Sequence, residues 1–207
     1  MFKKLVIMSL LSVSSLYLHA GIMASSTRLV YVEGENQKSL MLVNTNKYSV
    51  LTQLWVDDGE VNPDYKDAPF VVIPPVFSLK PEEIKGVTII YNGMRLPKDR
   101  ESVFWLNLYE IPAVRKTSLE QDYLNLAMNM QMKIFYRPKS LTKFDLIDVQ
   151  KKLKFSFVET ENSYVIKAEN PTPYYISIMN INLLNKNHKS KLNNEIENMI
   201  YDSYLIN

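Results

Sequence analysis

Two pairs of adjacent acids, Asp57 with Asp58 and Glu82 with Glu83, are the nearest approach to a catalytic dyad in this 207-residue sequence. Carboxylate-based hydrolysis needs two carboxyl groups converging on one bond. Adjacent strand residues face opposite ways and acids in turns are usually solvated, so neither pair converges well. Cysteine is absent, which removes thiolate nucleophiles and thiolate metal sites. Of two histidines, His19 falls in a leader segment, so His188 would have to carry any imidazole chemistry alone. The expectation is a protein that is not an enzyme, with no cofactor, no metal and no small-molecule substrate. A different pattern lies between Leu124 and Met132. Leu124, Leu126, Met128, Met130 and Met132 are apolar, Asn125, Asn129 and Gln131 are polar and Ala127 is small. That is the period of two of a half-buried strand, and on pattern alone such a row is ordinary core.

Lys3 and Lys4 precede an apolar run from Leu5 to Leu18 that is too short to span a bilayer as a helix. Residues 1–20 read as a secretory signal peptide cut after Ala20, with a cut after Ala24 as the alternative. No later stretch is apolar for long enough to cross a membrane, so the mature chain is expected to be exported and soluble, with no membrane insertion. The formal charge of +2 comes from 24 basic and 22 acidic residues, and losing Lys3 and Lys4 with the leader leaves the two signs equal. Such neutrality argues against a nucleic-acid partner or an anionic membrane surface. Without disulfides, an exported chain must rest on hydrophobic burial.

The elements that would position the apolar row are strands. Thr27 to Val32, Lys38 to Asn44, Leu51 to Val56, Phe70 to Ile73, Gly86 to Asn92, Val103 to Ile111 and Leu124 to Tyr136 are rich in β-branched and aromatic residues. Turn signals such as Glu33-Gly34, Asp57-Asp58-Gly59 and Asn92-Gly93 separate them, which predicts a β-sandwich. Pro138 cannot donate to a ladder and biases Arg137 toward an extended shape, so Arg137 to Ser140 is the expected domain boundary. Beyond it Lys152 to Val158, Ser163 to Glu169 and Tyr174 to Leu184 read as strands, too few for an immunoglobulin-like domain of about seven strands. Asn185 to Asn198 is Asn- and Lys-rich and reads as a loop or poorly ordered tail.

Three passages, in this order, carry a resemblance: Thr27-Arg28-Leu29-Val30-Tyr31, the run from Leu96 through Glu101-Ser102-Val103-Phe104-Trp105-Leu106-Asn107-Leu108-Tyr109-Glu110-Ile111-Pro112, and Lys133-Ile134-Phe135-Tyr136-Arg137-Pro138. Ile73-Pro74-Pro75-Val76-Phe77 and Asn170-Pro171-Thr172-Pro173-Tyr174-Tyr175 support them. Together they resemble the periplasmic pilus-assembly chaperones of the bacterial chaperone-usher pathway. The likeness covers Gly21 to about Leu184. The absence of cysteine and the short connection from Ala113 to Asp122 are similar to the short-loop branch of that family.

The resemblance implies an all-β fold of two immunoglobulin-like β-sandwich domains in an L shape, residues 21–137 and 138–207, the second apparently truncated. It implies a periplasmic, non-enzymatic protein whose partners are pilus subunits and an outer-membrane usher. Leu124, Leu126, Met128 and Met130 match the donor strand that such chaperones lend to an incomplete subunit, chaperone–pilin complementation being a recognised case of β-strand addition. Arg28 and Lys133 match the pair that grips the subunit's C-terminal carboxylate. Glu101 and Arg137 match an inter-domain ion pair. The usual acidic partner of that network lies near the end of the second domain, where this chain offers Asp202 without the expected surroundings. A generic exported immunoglobulin-like binding module, or a truncated and inactive chaperone, are the alternatives.

Overall fold

The structure, a computed structural model, describes residues 21–113, 126–141, 143, 145–159, 164–178, 181–184, 189–192, 199–200 and 203–206. Among the described residues nine strands build the first unit: β1 (Ile22–Ala24), β2 (Arg28–Val32), β3 (Gln37–Asn44), β4 (Val50–Asp57), β5 (Phe70–Ile73), β6 (Val76–Leu79), β7 (Ile84–Tyr91), β8 (Ser102–Pro112) and β9 (Met128–Arg137). They form a four-stranded sheet ordered β1-β3-β7-β5 and a five-stranded sheet ordered β2-β9-β8-β4-β6. Burial alternates along β2, β3 and β5, the signature of strands with one face on a shared core. Leu40, Leu42, Val87 and Ile89 from one sheet meet Leu54, Leu106, Leu108 and Ile134 from the other, all of them almost wholly buried. Tyr31 lies within this core, its hydroxyl donating to the Ile89 carbonyl. Burial raises that phenol's pKa and keeps it neutral.

Seven of these strands match the sequence expectation to within a few residues. Two were not foreseen. β1 is three residues long, and β6 follows two prolines directly after β5 but belongs to the opposite sheet. Between β1 and β2 the chain changes sheets. Ser25 is still fastened to β3, its amide donating to the Met41 carbonyl at 2.9 Å and its Oγ accepting from the Met41 amide at 3.1 Å. By Arg28 the chain pairs in parallel with β9.

The junction begins at buried Pro138, passes a 3-10 turn at Lys139–Leu141 and enters a seven-residue helix, α1 (Leu146–Lys152). Asp145 caps α1, its side chain accepting the amides of Ile147 and Asp148. Val149 of α1 packs with Tyr174, Ile176, Leu141 and Leu153. The second unit then continues with β10 (Lys154–Glu159), β11 (Tyr164–Glu169), β12 (Ile176–Ser177), β13 (Ile181–Leu184), β14 (Lys189–Leu192), β15 (Met199–Ile200) and β16 (Ser203–Ile206). β10 pairs with β11 and β11 with β16, β12 pairs with β15, and β13 with β14.

This corrects three expectations. The strand expected to begin at Lys152 starts two residues later, because Lys152 closes α1. The expected Tyr174 to Leu184 strand is two separate strands in different sheets. The tail read as a loop contains β14, and strands follow it at β15 and β16. A search for apolar alternation misses such pieces, since antiparallel pairing is made by backbone groups that every residue carries.

A candidate strand-donation edge beside two cations

β9 has two unlike halves. Its register with β8 pairs Met128 with Glu110, Met130 with Leu108, Met132 with Leu106 and Ile134 with Phe104, so these residues share the face that looks toward the core. Ile134 and Met132 are buried, but exposure then climbs to 38% at Met130, 52% at Met128 and 63% at Leu126, which precedes the strand. The row thus runs out of its own sandwich while remaining apolar. Leu124 lies outside the described residues, as do Asp202, His188 and the connection from Val114 to Asp122.

The edge of β9 changes at the same place. From Lys133 to Arg137 its free side is taken by β2. From Met128 to Met132 β9 pairs with β8 on one side, and among the described residues no strand lies on the other. The cause is the sheet change of the N-terminal segment, which is tied to β3 through Ser25 and reaches β9 only at Arg28.

At that boundary stand the two cations. Arg28 is the register partner of Lys133 in the parallel pair, which sets their backbones about 4.8 Å apart with side chains on one face. The same row crosses the sheet to Trp105 and Asp57. Arg28 is exposed and Lys133 half-buried. Among the described residues no acidic side chain comes within ion-pair distance of Arg28. Asp57, at the far end of the row, is buried and accepts the amides of Gly59 and Asn62 at 2.9 and 2.7 Å. It is a turn cap.

Glu101 and Arg137 are brought together at the junction of the two units. Arg137 Nε donates to Glu101 Oε1 at 2.6 Å, with the glutamate side chain 2% exposed and the arginine 19%. The other carboxylate oxygen accepts the Tyr175 amide at 2.9 Å, and the Glu101 amide donates to the Pro173 carbonyl at 2.9 Å. The guanidinium lies 5.7 Å from the Tyr174 ring centroid. Sequence reasoning identified the pair but missed its partner in the second unit. That partner includes a backbone amide in the Asn170-Pro171-Thr172-Pro173-Tyr174-Tyr175 passage, which was noted as a match and given no role.

The acid pairs do not form a dyad. Asp58 is exposed beside the capped Asp57, while Glu83 caps its own turn by accepting the Lys80 amide at 2.8 Å. Among the described residues no group of three or more His, Cys, Asp or Glu is placed to hold a metal.

Comparison with known proteins bears on the family and the fold. Residues 21–142 match the family model for the N-terminal domain of PapD, a pili and flagellar-assembly chaperone, and residues 148–200 match the model for the C-terminal domain of the pili assembly chaperone PapD. The chaperone protein FocC of Escherichia coli is 36% identical over 81% of this chain and 71% of its own length. Among solved structures, the YadV chaperone superposes with a TM-score of 0.71 at 28% identity, covering 89% of this chain and 83% of that one. The Salmonella enterica SafA pilin in complex with the SafB chaperone gives 0.67 at 26% identity, covering 90% and 83%. The fold is that of two immunoglobulin-like β domains, and the family is a non-enzymatic one. With the N-terminal model alone spanning more than half of its residues, the chain belongs to the family of pili assembly chaperones.

Proposed function

We propose that this protein is a periplasmic chaperone that binds, folds and caps pilus subunits by donor-strand complementation, and delivers them to an outer-membrane usher. The observation that carries the reading is the coincidence, at one point of β9, of three changes: the apolar row becomes exposed, the strand edge is open among the described residues, and two cations appear. An open edge with an apolar row is a hazard for a protein that keeps it to itself, because it templates pairing with other chains. For a protein that lends a strand, the same features supply backbone pairing and side chains for a partner's groove.

The cations give the added strand a direction. A strand laid along Met128 to Met132 must stop where β2 begins, at Arg28 and Lys133. Running parallel to β9, it presents its C-terminal carboxylate to the two cations; running antiparallel, it presents an ammonium. Charge-assisted hydrogen bonds favour the first and repulsion penalises the second. The carboxylate then fixes the register in which the partner's groove meets Leu126, Met128 and Met130. Each large aliphatic side chain so buried contributes roughly 1.5 to 3 kcal/mol of transfer free energy. Methionine suits a donor that must accept several groove shapes, since its unbranched chain repacks easily.

Co-expression in the periplasm with pilus subunits from the same source tests the reading. A stable one-to-one complex is expected, and subunits that aggregate or degrade equally with and without this protein would refute it.

A further inference from the structure

Glu110, near the end of β8, is buried with hydrogen bonds but, among the described residues, no charge partner. It is 5% exposed. Its Oε2 accepts the Ile22 amide at 3.0 Å and its Oε1 accepts Asn46 Nδ2 at 2.6 Å. Both donors are neutral. The groups that face it from β1, the turn after β3, β4 and β9 are Ile22, Asn46, Thr52 and Met128, none of them titratable. A carboxylate withdrawn from water is costly unless a cation or several hydrogen bonds compensate it.

Gly21 lies against this carboxylate. It is buried, with φ +80°, and a Cβ built on it would stand 2.8 Å from Glu110 Oε2. At that φ a side chain would be strained and would press on the carboxylate, which lies against the main chain of Gly21. The Gly21 nitrogen is one bond, about 1.46 Å, from that α-carbon. Gly21 is also the residue that a cut after Ala20 makes the first, and the family match begins at the same residue. The alternative cut after Ala24 would delete β1 and remove Ile22, 1% exposed, from the core.

We propose that Glu110 is the seat of the α-ammonium group that leader cleavage creates at Gly21. A leader-cleaving peptidase adds water across the Ala20–Gly21 bond, leaving a carboxylate on Ala20 and an ammonium on Gly21. Before the cut that nitrogen is a neutral amide; after it, the nitrogen is a cation beside a buried anion. Met128, the first residue of β9, is the register partner of Glu110, and its Cε would lie 3.4 Å from a Cβ on Gly21. Processing therefore fastens the end of the strand from which the donor row extends. The inference rests on leader cleavage and does not depend on subunit binding.

Titrating the α-amino group of the mature chain by NMR, with glycine isotopically labelled, tests it. The expected midpoint lies about one unit above the ordinary range of roughly 7.7 to 8.0 and returns to that range in Glu110→Gln. An ordinary midpoint with Glu110 intact, or a raised one that survives Glu110→Gln, overturns the proposal. Should Glu110→Gln not fold, the Nα-acetylated wild-type chain reads the same contact. Its denaturation midpoint falls if the ammonium is paired and is unchanged if it is not, which also overturns the proposal.

Discussion

Arg28 and Lys133 come from opposite ends of the first domain and become neighbours only because β2 and β9 pair in parallel. Arg28→Ala removes an exposed side chain without an acidic partner among the described residues, so stability of the free protein should change by no more than about 0.5 kcal/mol. Complexes with subunits should be lost. Urea titration of the free variant and co-purification with a subunit check the two halves of that statement. Glu101 behaves oppositely. Glu101→Ala removes a buried carboxylate that accepts from Arg137 and from the Tyr175 amide at the junction, and should cost on the order of 3 kcal/mol, read from the urea midpoint. That Arg28 would stand beside Lys133 and Glu101 beside Arg137 was legible in the motifs around them. That Tyr175 would complete the junction was not, because a backbone amide has no letter in the sequence.

The strand β9 was readable as an alternating element, but alternation is the same for a core row and for a donor row. What separates them is where cover ends, and that is decided by the distant point at which the N-terminal segment leaves β3 for β9. The row should therefore divide by position. Met132→Ala, buried, should destabilise the free chaperone by about 2 to 5 kcal/mol. Leu126→Asp, exposed, should leave the free protein near wild-type stability while weakening subunit binding by about tenfold or more. Thermal unfolding and a binding titration on both variants measure the difference; equal destabilisation by the two would show that the whole row belongs to the protein's own core. β1, β6 and β14 escaped the sequence reading for a related reason: short strands held by pairing leave little pattern in side chains.

At the scale of the molecule, two β units meet at Pro138 through a carboxylate, a guanidinium and a tyrosine pair, and the first unit ends in an edge on which, among the described residues, no strand of its own sheets lies. The sandwich of the first unit followed from strand spacing and turn residues, whereas two pairings of the second unit, β11 with β16 and β12 with β15, join segments remote in sequence. In the proposed complex a partner strand lies along Met128 to Met132 with its terminal carboxylate at Arg28 and Lys133. Calorimetric titration with a peptide copying the last strand of a pilus subunit, prepared as the free acid and as the C-terminal amide, tests it most directly. Hydrogen bonds to charged groups are worth roughly 1.5 to 3 kcal/mol, so the acid should bind about tenfold or more tightly than the amide, and Arg28→Ala should reduce that preference. Equal binding of acid and amide by the wild-type protein would contradict the account.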